Sequence, residues 1–250
     1  MWGIVPAACA VSRIQPLVFS KQLVPVGSRL VGDTERPRAV SEYLLERMIL
    51  AGVDRLCFVI SPGKSDMVEH YGGNVGGAHV CYVVQPHPAG LNDALFRALP
   101  FIAPDEEVLV GLPDTIWFPA DGFRALGPGF SFLLFPVLRP ELFDAVVTDQ
   151  AGHVQEIQVK ATSPRTHWIW GGFKLTGRIL GQLEELHRER GQREAHLGHL
   201  VNAWLGRGGT ARGVRAGEAY VDVGTLYGYH QALQLLRERS PEPPAEAPQP

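Results

Sequence analysis

The N-terminal half of the chain alternates short runs that are apolar throughout with amphipathic segments, and this alternation limits the folds open to it. The apolar runs lie at 55–60, 79–84 and 107–112, and a first strand is predicted at 3–8. A strand that is apolar on both sides needs cover on both faces, which is typical of parallel sheets. The sequence therefore predicts an α/β fold with a doubly wound, mostly parallel, Rossmann-like sheet and helices on both faces.

The segments between these runs predict helices. Residues 36–53 place apolar side chains at helical spacing, with Pro37 near the start and Gly52 as the stop. A short helix is expected to begin with Ser65 as its N-cap, and a third helix is predicted over residues 90–99. Helices that join neighbouring parallel strands are expected to make right-handed crossovers.

Beyond residue 125 the pattern indicates short strands joined by tight turns, which predicts a mixed or antiparallel second half. The predicted strands there are 130–137, 144–149, 153–160, 168–175 and a short one that ends at Asp222, and the predicted helices are about 176–190, 195–206 and 226–239. Residues 240–250 are rich in proline and contain no apolar residue larger than alanine or proline. We expect this tail to be disordered.

Composition argues against several classes of partner. The chain of 250 residues has 23 Lys and Arg against 26 Asp and Glu, so no overall positive field favours nucleic acid and no basic run favours a membrane surface. No apolar run approaches the roughly 18 residues that a membrane span needs.

The three cysteines form no CxxC pair, and Cys57 and Cys81 are expected to be small buried apolar residues. A cytoplasmic protein is expected.

Polar residues follow the predicted strands at the edge where parallel sheets bind ligands. Arg13 and Lys21 follow the first strand, Gln85 the third and Asp114 the fourth, and Asp222 ends a later strand. Asp114 and Asp222 suit Mg²⁺, which prefers carboxylate oxygens and retained waters. The alternative is that each carboxylate caps a turn.

The basic and amide side chains also allow two interpretations each. Arg13 and Lys21 lie in a loop stiffened by prolines and suit the charge of a phosphate chain, or they are solvated surface charges. Gln85 with Gly90 suits the edge of a nucleobase, or belongs to a plain connection between strand and helix. Lys160 ends a predicted strand, where it could bind a ligand or protect the sheet edge.

Six short motifs carry a resemblance to a known family, and their order and rough spacing hold from about residue 3 to residue 236. They are AACAVSRIQP at 7–16, KQLVPVG at 21–27, QPHPAGL at 85–91, LPDT at 112–115, QVKATSP at 158–164 and DVGT at 222–225. In this order they resemble the phosphate loop, lysine segment, base loop, metal aspartate, sugar-phosphate strand and second metal aspartate of the sugar-1-phosphate nucleotidyltransferases. The chain is most similar to the glucose-1-phosphate thymidylyltransferase and UTP–glucose-1-phosphate uridylyltransferase group.

The resemblance implies that a sugar 1-phosphate attacks the α-phosphorus of dTTP or UTP and that pyrophosphate leaves. It assigns Arg13 to the leaving phosphates, Lys21 to the α-phosphate, and Asp114 and Asp222 to Mg²⁺. The nucleotide-binding residues that it implies are Ala8, Cys9, Ala10, Val11, Ser12, Gln85 and Gly90, and the sugar-phosphate-binding residues are Lys160 and Gly172.

Departures from the family pattern leave a second hypothesis open. Cys9 and Val11 replace two loop glycines, and a Cβ hinders close approach of the backbone to phosphate. Val159 replaces the glutamate before Lys160, and Pro113 replaces the glycine before Asp114. The alternative is therefore a weakened relative that binds a nucleotide or sugar phosphate as a regulatory module.

We expect residues 1–239 to form a single domain, with a nucleotide-binding half to about residue 125 and a sugar-phosphate-binding half from about 126. The expected partners are the two small-molecule substrates, with neither nucleic acid nor membrane. The aromatic-rich segment 219–230 and the last helix could form a contact between identical subunits, and they could equally be core.

Overall fold

The computed structural model describes residues 1–9, 17–192 and 194–239. Its strands are β1 (Trp2–Pro6), β2 (Pro25–Val31), β3 (Thr34–Ala39), β4 (Arg55–Ile60), β5 (Asn74–Val75), β6 (Ala78–Val84), β7 (Glu107–Gly111), β8 (Thr115–Phe118), β9 (Phe130–Pro136), β10 (Asp144–Thr148), β11 (Val154–Val159), β12 (Trp168–Thr176), β13 (Ala211–Val214) and β14 (Ala219–Asp222). Its α-helices are α1 (Val40–Leu50), α2 (Ser65–Tyr71), α3 (Gly90–Ala98), α4 (Gly177–Glu189), α5 (Leu197–Leu205) and α6 (Leu226–Arg239).

The predicted parallel sheet is confirmed. Strand β1 pairs in parallel with β4 on one side and with β7 on the other, and β4 pairs in parallel with β6. These strands are apolar throughout because helices cover both faces: α3, α4 and α5 pack on one face, and α1 and α2 on the other. The carboxyl ends of β1, β4, β6 and β7 therefore meet at one edge of the sheet. Cys57 is buried in this sheet as predicted, and Cys81 beside it is half-buried.

The mixed second half is also confirmed, and its register places one hairpin near that edge. Strand β12 pairs antiparallel with β9 along one side, through residues that include Ile169 and Phe173. On its other side β12 pairs with β7 from Gly172 onward and with β10 at Ile169. Because a strand has only two edges, β10 continues on the β7 side of β12, directly beyond the end of β7 at Gly111. The β10–β11 hairpin thus extends past the carboxyl end of the parallel strands.

The prediction of one helix over residues 36–53 was wrong at its start. The segment before Val40 forms β3, which pairs antiparallel with β2 around the two-residue turn Gly32–Asp33. Gly32 has a φ of +62°, which glycine adopts without a steric cost in such turns. The residues of this hairpin are mostly exposed, so they lack the apolar alternation by which strands are recognised.

The N-cap of α2 also differs from the prediction. Lys64, and not Ser65, occupies the capping position, and no side chain caps the helix. Asp66, in the first turn of α2, accepts hydrogen bonds from the backbone N–H and the hydroxyl of Ser20 at 2.5 and 2.7 Å. The helix start is therefore tied to the chain that leads into Lys21, which is one reason for its position. No helix in the described ranges is long and apolar enough to cross a membrane.

A buried arginine connects α1 to the strand that follows Asp114. Arg47 is 2% exposed, and it donates from Nε and Nη2 to the carbonyl oxygen of Trp117 in β8 at 3.0 and 2.5 Å. Burial, together with the charge of nearby Arg38, lowers the pKa of Arg47 to about 10. No acidic side chain accepts a hydrogen bond from Arg47 within the described residues, so its charge is stabilised by carbonyl dipoles.

We expect Arg47→Met to lower the free energy of unfolding by about 2 kcal/mol or more, because the buried Trp117 carbonyl loses two donors. Urea denaturation measures this. Arg36→Met, in the exposed strand β3, is the matched control and should change stability by less than about 0.5 kcal/mol. Equal destabilisation by both variants would contradict a structural role for the Arg47 contacts.

Candidate active site

Lys21 and Asp114 form an ion pair at the carboxyl edge of the sheet. The distance from Lys21 Nζ to Asp114 Oδ2 is 2.7 Å, and both side chains are mostly shielded from solvent, at 13% and 19% exposed. Lys21 begins a single 3₁₀ turn at Lys21–Leu23, and Asp114 lies between β7 and β8. Two groups separated by 93 positions are thus brought together as the strand-end pattern predicted.

Asp222 is held beside Asp114 by the backbone. Strand β14 pairs antiparallel with β8, with Asp222 opposite Thr115, and the N–H of Val223 donates to the carbonyl oxygen of Asp114 at 2.9 Å. The N–H of Gly224 donates to Asp222 Oδ1 at 2.7 Å and orients the carboxylate. The two predicted metal residues therefore lie on neighbouring backbone segments.

The neighbouring carboxylates influence the pKa of Lys21. Burial alone would lower the pKa of Lys21, but the charge and hydrogen bond of Asp114 outweigh it, with smaller contributions from Cys9 and Asp222. The pKa is raised as a result, so Lys21 is a firmly charged ammonium group at neutral pH. Its positive charge can offset negative charge on a ligand that binds at this edge of the sheet.

The carboxylates at this edge match the way in which Mg²⁺ is usually bound. No group of three His, Cys, Asp or Glu side chains in the described part of the chain could hold a metal ion alone. Mg²⁺ is usually bound through one or two carboxylates, with waters and substrate phosphates completing the coordination. Asp114 and Asp222 fit that pattern and do not fit a cage built from protein ligands only.

A second lysine, which the sequence analysis missed, lies under the phosphate-loop motif. Lys64 is 7% exposed, and its Nζ donates to the carbonyl oxygens of Ala7 and Cys9 at 2.6 and 3.2 Å and to Gln22 Oε1 at 2.7 Å. Burial and the nearby charge of Lys21 lower the pKa of Lys64 to about 8. Lys64 follows β4 just as Lys21 follows β1, so the rule that ligands bind at strand ends could have identified it.

The described part of the phosphate-loop motif consists of its first residues. Ala8 is buried and Cys9 is exposed, and the preceding Ala7 donates its N–H to the carbonyl oxygen of Val59 at 2.8 Å. The predicted residues Ala10, Val11, Ser12 and Arg13 lie outside the described residues.

A cavity of about 460 Å³ opens beside this motif. Its lining includes Cys9, Lys21, Lys64 and Asp66. Lys21 and Lys64 both line this cavity at the carboxyl edge of the sheet, and their positive charges favour a ligand that is negatively charged.

Gln85 and Gly90 are close together, as the base-loop prediction requires, but the amide is already engaged. Gln85 is buried, and its Nε2 donates to the carbonyl oxygen of Gly90 at 3.1 Å and to Asp93 Oδ2 at 2.7 Å. Both N–H groups of the amide are therefore used to shape the loop. A direct contact with a base would use the amide oxygen or require the loop to rearrange, and the role of Gln85 stays a prediction.

Gly90 allows the base loop to contact the second half of the chain. Its φ is +87°, and a Cβ there would come within 3.0 Å of the carbonyl oxygen of Ala195. The side chain of Asn92 donates to the carbonyl oxygen of Glu194 at 2.7 Å in the same contact. The segment before α5 therefore rests directly on the base loop.

The predicted sugar-phosphate residues have different surroundings. Lys160 is exposed just after β11, has a φ of +42°, and donates its N–H to the carbonyl oxygen of Phe143 at 3.2 Å. Gly172 is buried opposite Gly111, and a Cβ there would come within 2.7 Å of the ring of Phe123. Gly172 is thus needed for close packing in the sheet. Its role in sugar-phosphate binding stays a prediction. Gln158 is engaged as well, since its Oε1 accepts from the N–H of Arg165 at 2.8 Å.

Lys64 should make stability depend on pH in a distinctive way. Its folded-state pKa of about 8 lies below the ordinary 10.5, so the unfolded chain binds this proton more tightly. The free energy of unfolding should therefore rise between pH 8 and 10.5, by roughly 3 kcal/mol at most. Lys64→Met should abolish this contribution, as measured by urea denaturation at several pH values.

Lys174→Met is the matched control for Lys64→Met, because Lys174 has a carboxylate partner in Glu107 at 3.0 Å. The control should keep the rise in stability that the wild type shows. If Lys64→Met keeps the same rise, Lys64 is not the group responsible.

The chain matches a known protein family and several of its members. Residues 7–239 match the family model described as nucleotidyl transferase. A glucose-1-phosphate thymidylyltransferase of Neisseria meningitidis serogroup A / serotype 4A is 24% identical over 248 residues, which cover 95% of this chain and 83% of that protein. The UTP–glucose-1-phosphate uridylyltransferase AglF of Haloferax volcanii is 23% identical, covering 96% of this chain and 98% of that protein.

A comparison with solved structures shows that the fold is shared. A UTP-bound UGPase from Acinetobacter baumannii superimposes with a TM-score of 0.78 at 18% identity, covering 96% of this chain and 94% of that one. The resemblance carried by the six short motifs is confirmed, together with the fold class that it implied. Because the family model spans nearly all the described residues, the chain belongs to the nucleotidyl transferase family and is an enzyme of that family.

Proposed function

We propose that this enzyme joins a sugar 1-phosphate to a pyrimidine nucleoside triphosphate, dTTP or UTP, and releases pyrophosphate. The observation that carries the proposal is the cluster of Lys21, Asp114 and Asp222 at the carboxyl edge of the sheet. The base loop at Gln85 and Gly90 follows β6 at the same edge of the sheet. Relatives whose names specify thymidylyl and uridylyl transfer to glucose 1-phosphate support this reaction class.

In this reaction an oxygen of the sugar phosphate attacks the α-phosphorus in line. A new P–O bond forms as the bond to the β-phosphate oxygen breaks, and pyrophosphate leaves with the electron pair. No side-chain nucleophile is required, so positioning and charge stabilisation provide the catalysis. The ammonium of Lys21 would neutralise charge on the α-phosphate, and Arg13 would bind the leaving phosphates.

The acidic pair would supply the metal site. Asp114 and Asp222 would hold Mg²⁺ together with the triphosphate oxygens, where the cation offsets negative charge that develops during transfer. Lys21 now pairs with Asp114 at 2.7 Å, and the arrival of a triphosphate would let Lys21 exchange this partner for a phosphate oxygen. Lys64 would act indirectly, because its hydrogen bonds to Ala7 and Cys9 fix the start of the phosphate-loop motif.

Several finer features remain part of the proposal. Relatives of both the thymidylyl and the uridylyl type match the chain, so the assay includes dTTP and UTP. Lys160 would bind the sugar phosphate from the β10–β11 hairpin. A cytoplasmic location, one domain over residues 1–239 and assembly into a homo-oligomer stay predictions.

The proposal predicts pyrophosphate release by the purified protein with Mg²⁺, dTTP or UTP, and a panel of hexose 1-phosphates. Lys21→Met and Asp114→Asn should each lower kcat by about 100-fold or more, because each removes a charge placed against the reacting phosphates. Asp105→Asn, an exposed carboxylate at the opposite edge of the sheet, is the control and should retain activity.

Calorimetric titration of dTTP and UTP separates the two hypotheses that the phosphate-loop motif raised. Nucleotide binding with turnover supports the transferase. Nucleotide binding without pyrophosphate release from any pair of substrates would instead favour a regulatory module. If Cys9→Gly/Val11→Gly alone restores turnover, those two side chains are what weakens the loop.

A further inference from the structure

Two cysteines lie opposite each other on neighbouring strands of the parallel sheet. Cys57 in β4 is in register with Cys81 in β6, and their side chains hydrogen-bond to each other. Neighbouring strands lie about 4.7–4.9 Å apart, and α-carbons at that separation fall within the range that a disulfide bridges. The backbone therefore already has the geometry that a cross-link between these two thiols needs.

The packing places both thiols on the same face of the sheet. Cys57 is buried in the apolar cluster that contains Ala94 and Leu95 of α3, and Cys81 packs against the same cluster. The residues before and after each cysteine belong to the cluster on the opposite face: Leu56, Phe58, Val80 and Tyr82. Register and packing thus agree that the two sulfur atoms lie side by side beneath α3.

The two thiols differ in their access to solvent. Strand β4 is an interior strand and is buried at every position after Arg55, whereas β6 is at least partly exposed from His79 to Val84. Among the described residues, β5 pairs with the outer edge of β6 only at Ala78 and His79. Cys81 is therefore half-buried at a sheet edge that solvent reaches, and Cys57 behind it is fully buried.

The hydrogen bond makes the two cysteines chemically unequal. The Cys57 thiol donates to the Cys81 sulfur and so lowers the pKa of Cys81, although burial acts to raise it. The same hydrogen bond, together with burial, raises the pKa of Cys57. Because the thiolate is the reactive form of cysteine, the reactive sulfur is the accessible one, and a protonated thiol lies next to it.

We propose that Cys57 and Cys81 are a redox-active pair, which a peroxide converts into a reversible disulfide across β4 and β6. First, the Cys81 thiolate attacks one oxygen of hydrogen peroxide and the O–O bond breaks. Hydroxide leaves and takes a proton from solvent, and Cys81 becomes a sulfenic acid. Next, the Cys57 sulfur attacks the Cys81 sulfur and the S–O bond breaks, so that the hydroxyl leaves as water with the proton of Cys57. The two sulfurs supply the two electrons that reduce the peroxide.

The cross-link would close a loop of chain that contains Lys64, α2 and β5. Lys64 donates to the carbonyl oxygens of Ala7 and Cys9, so the disulfide would constrain the segment that supports the start of the phosphate-loop motif. Disulfides that form in reducing compartments are usually transient and serve catalysis or redox sensing. This modification site is separate from the proposed transferase reaction, and its test needs neither nucleotide nor sugar phosphate.

The first test uses the reduced full-length chain, both as wild type and as Cys9→Ser, which removes the third cysteine. Hydrogen peroxide in slight excess should lower the intact mass of Cys9→Ser by two hydrogen atoms, and dithiothreitol should restore it. Trypsin cleaves after Lys64 and so separates the two cysteines, whose peptides should be recovered from both proteins as one disulfide-linked species once remaining thiols are alkylated. Absence of this species, or oxidation that dithiothreitol does not reverse, would overturn the inference.

A register control distinguishes a built pair from two cysteines that merely react. Cys81→Ala/Val83→Cys moves the second thiol two residues along the same face, to the position opposite Val59. The α-carbon at position 83 is about 8 Å from that of Cys57 by strand geometry, which is beyond the reach of a disulfide. The cross-link to Cys57 should therefore fall to about a tenth or less of the original yield. Equal yields would show that the register is not responsible and would overturn the proposal.

Single variants test the roles of the two sulfurs. In Cys57→Ala, which keeps an apolar side chain at the buried position, the sulfenic acid at Cys81 has no resolving thiol, so dimedone should label Cys81 about tenfold more than in the wild type. In Cys81→Ala, dimedone should leave the buried Cys57 unlabelled. Equal labelling of the remaining cysteine in the two variants would contradict the assigned order of steps. Circular dichroism verifies that each variant is folded, and the cross-link in the wild type depends on neither.

Discussion

Parallel pairing of β1 with both β4 and β7 is the constraint on which the candidate site depends. This pairing directs the segments after three strands to one edge, so that Lys21, Lys64 and Asp114 meet although they lie far apart in the sequence. Apolar packing on both faces of the sheet stabilises this strand pairing. In addition, Arg47 in α1 donates to the carbonyl oxygen of Trp117 and so holds β8, the strand that follows Asp114.

The two lysines at this edge have opposite electrostatic roles. The carboxylates around Lys21 raise its pKa, so its charge depends on groups that a metal ion or a triphosphate would also engage. Burial lowers the pKa of Lys64, whose three acceptors are all uncharged. Lys64 therefore organises the backbone, whereas Lys21 remains available to exchange one anionic partner for another.

The sequence was sufficient for those parts of the structure where local pattern and tertiary context agree. Strand β4 was predicted at 55–60 and is observed over the same residues, because a fully buried strand is apolar at every position. The β2–β3 hairpin was missed because its residues are exposed and because Pro37 suggested the start of a helix. The hydrogen bonds of Lys64 to the Ala7 and Cys9 carbonyls could not be predicted for a different reason. They depend on the parallel pairing of β1 with β4, which cannot be read from either segment alone.

The contact between Gly90 and Ala195 joins two segments that are more than a hundred positions apart. A Cβ at Gly90 would come within 3.0 Å of the Ala195 carbonyl, and the Asn92 side chain donates to Glu194 at 2.7 Å. Any side chain at position 90 would push these two segments apart. The spacing between the base loop and the segment before α5 is therefore set by the single hydrogen that glycine carries in place of a Cβ.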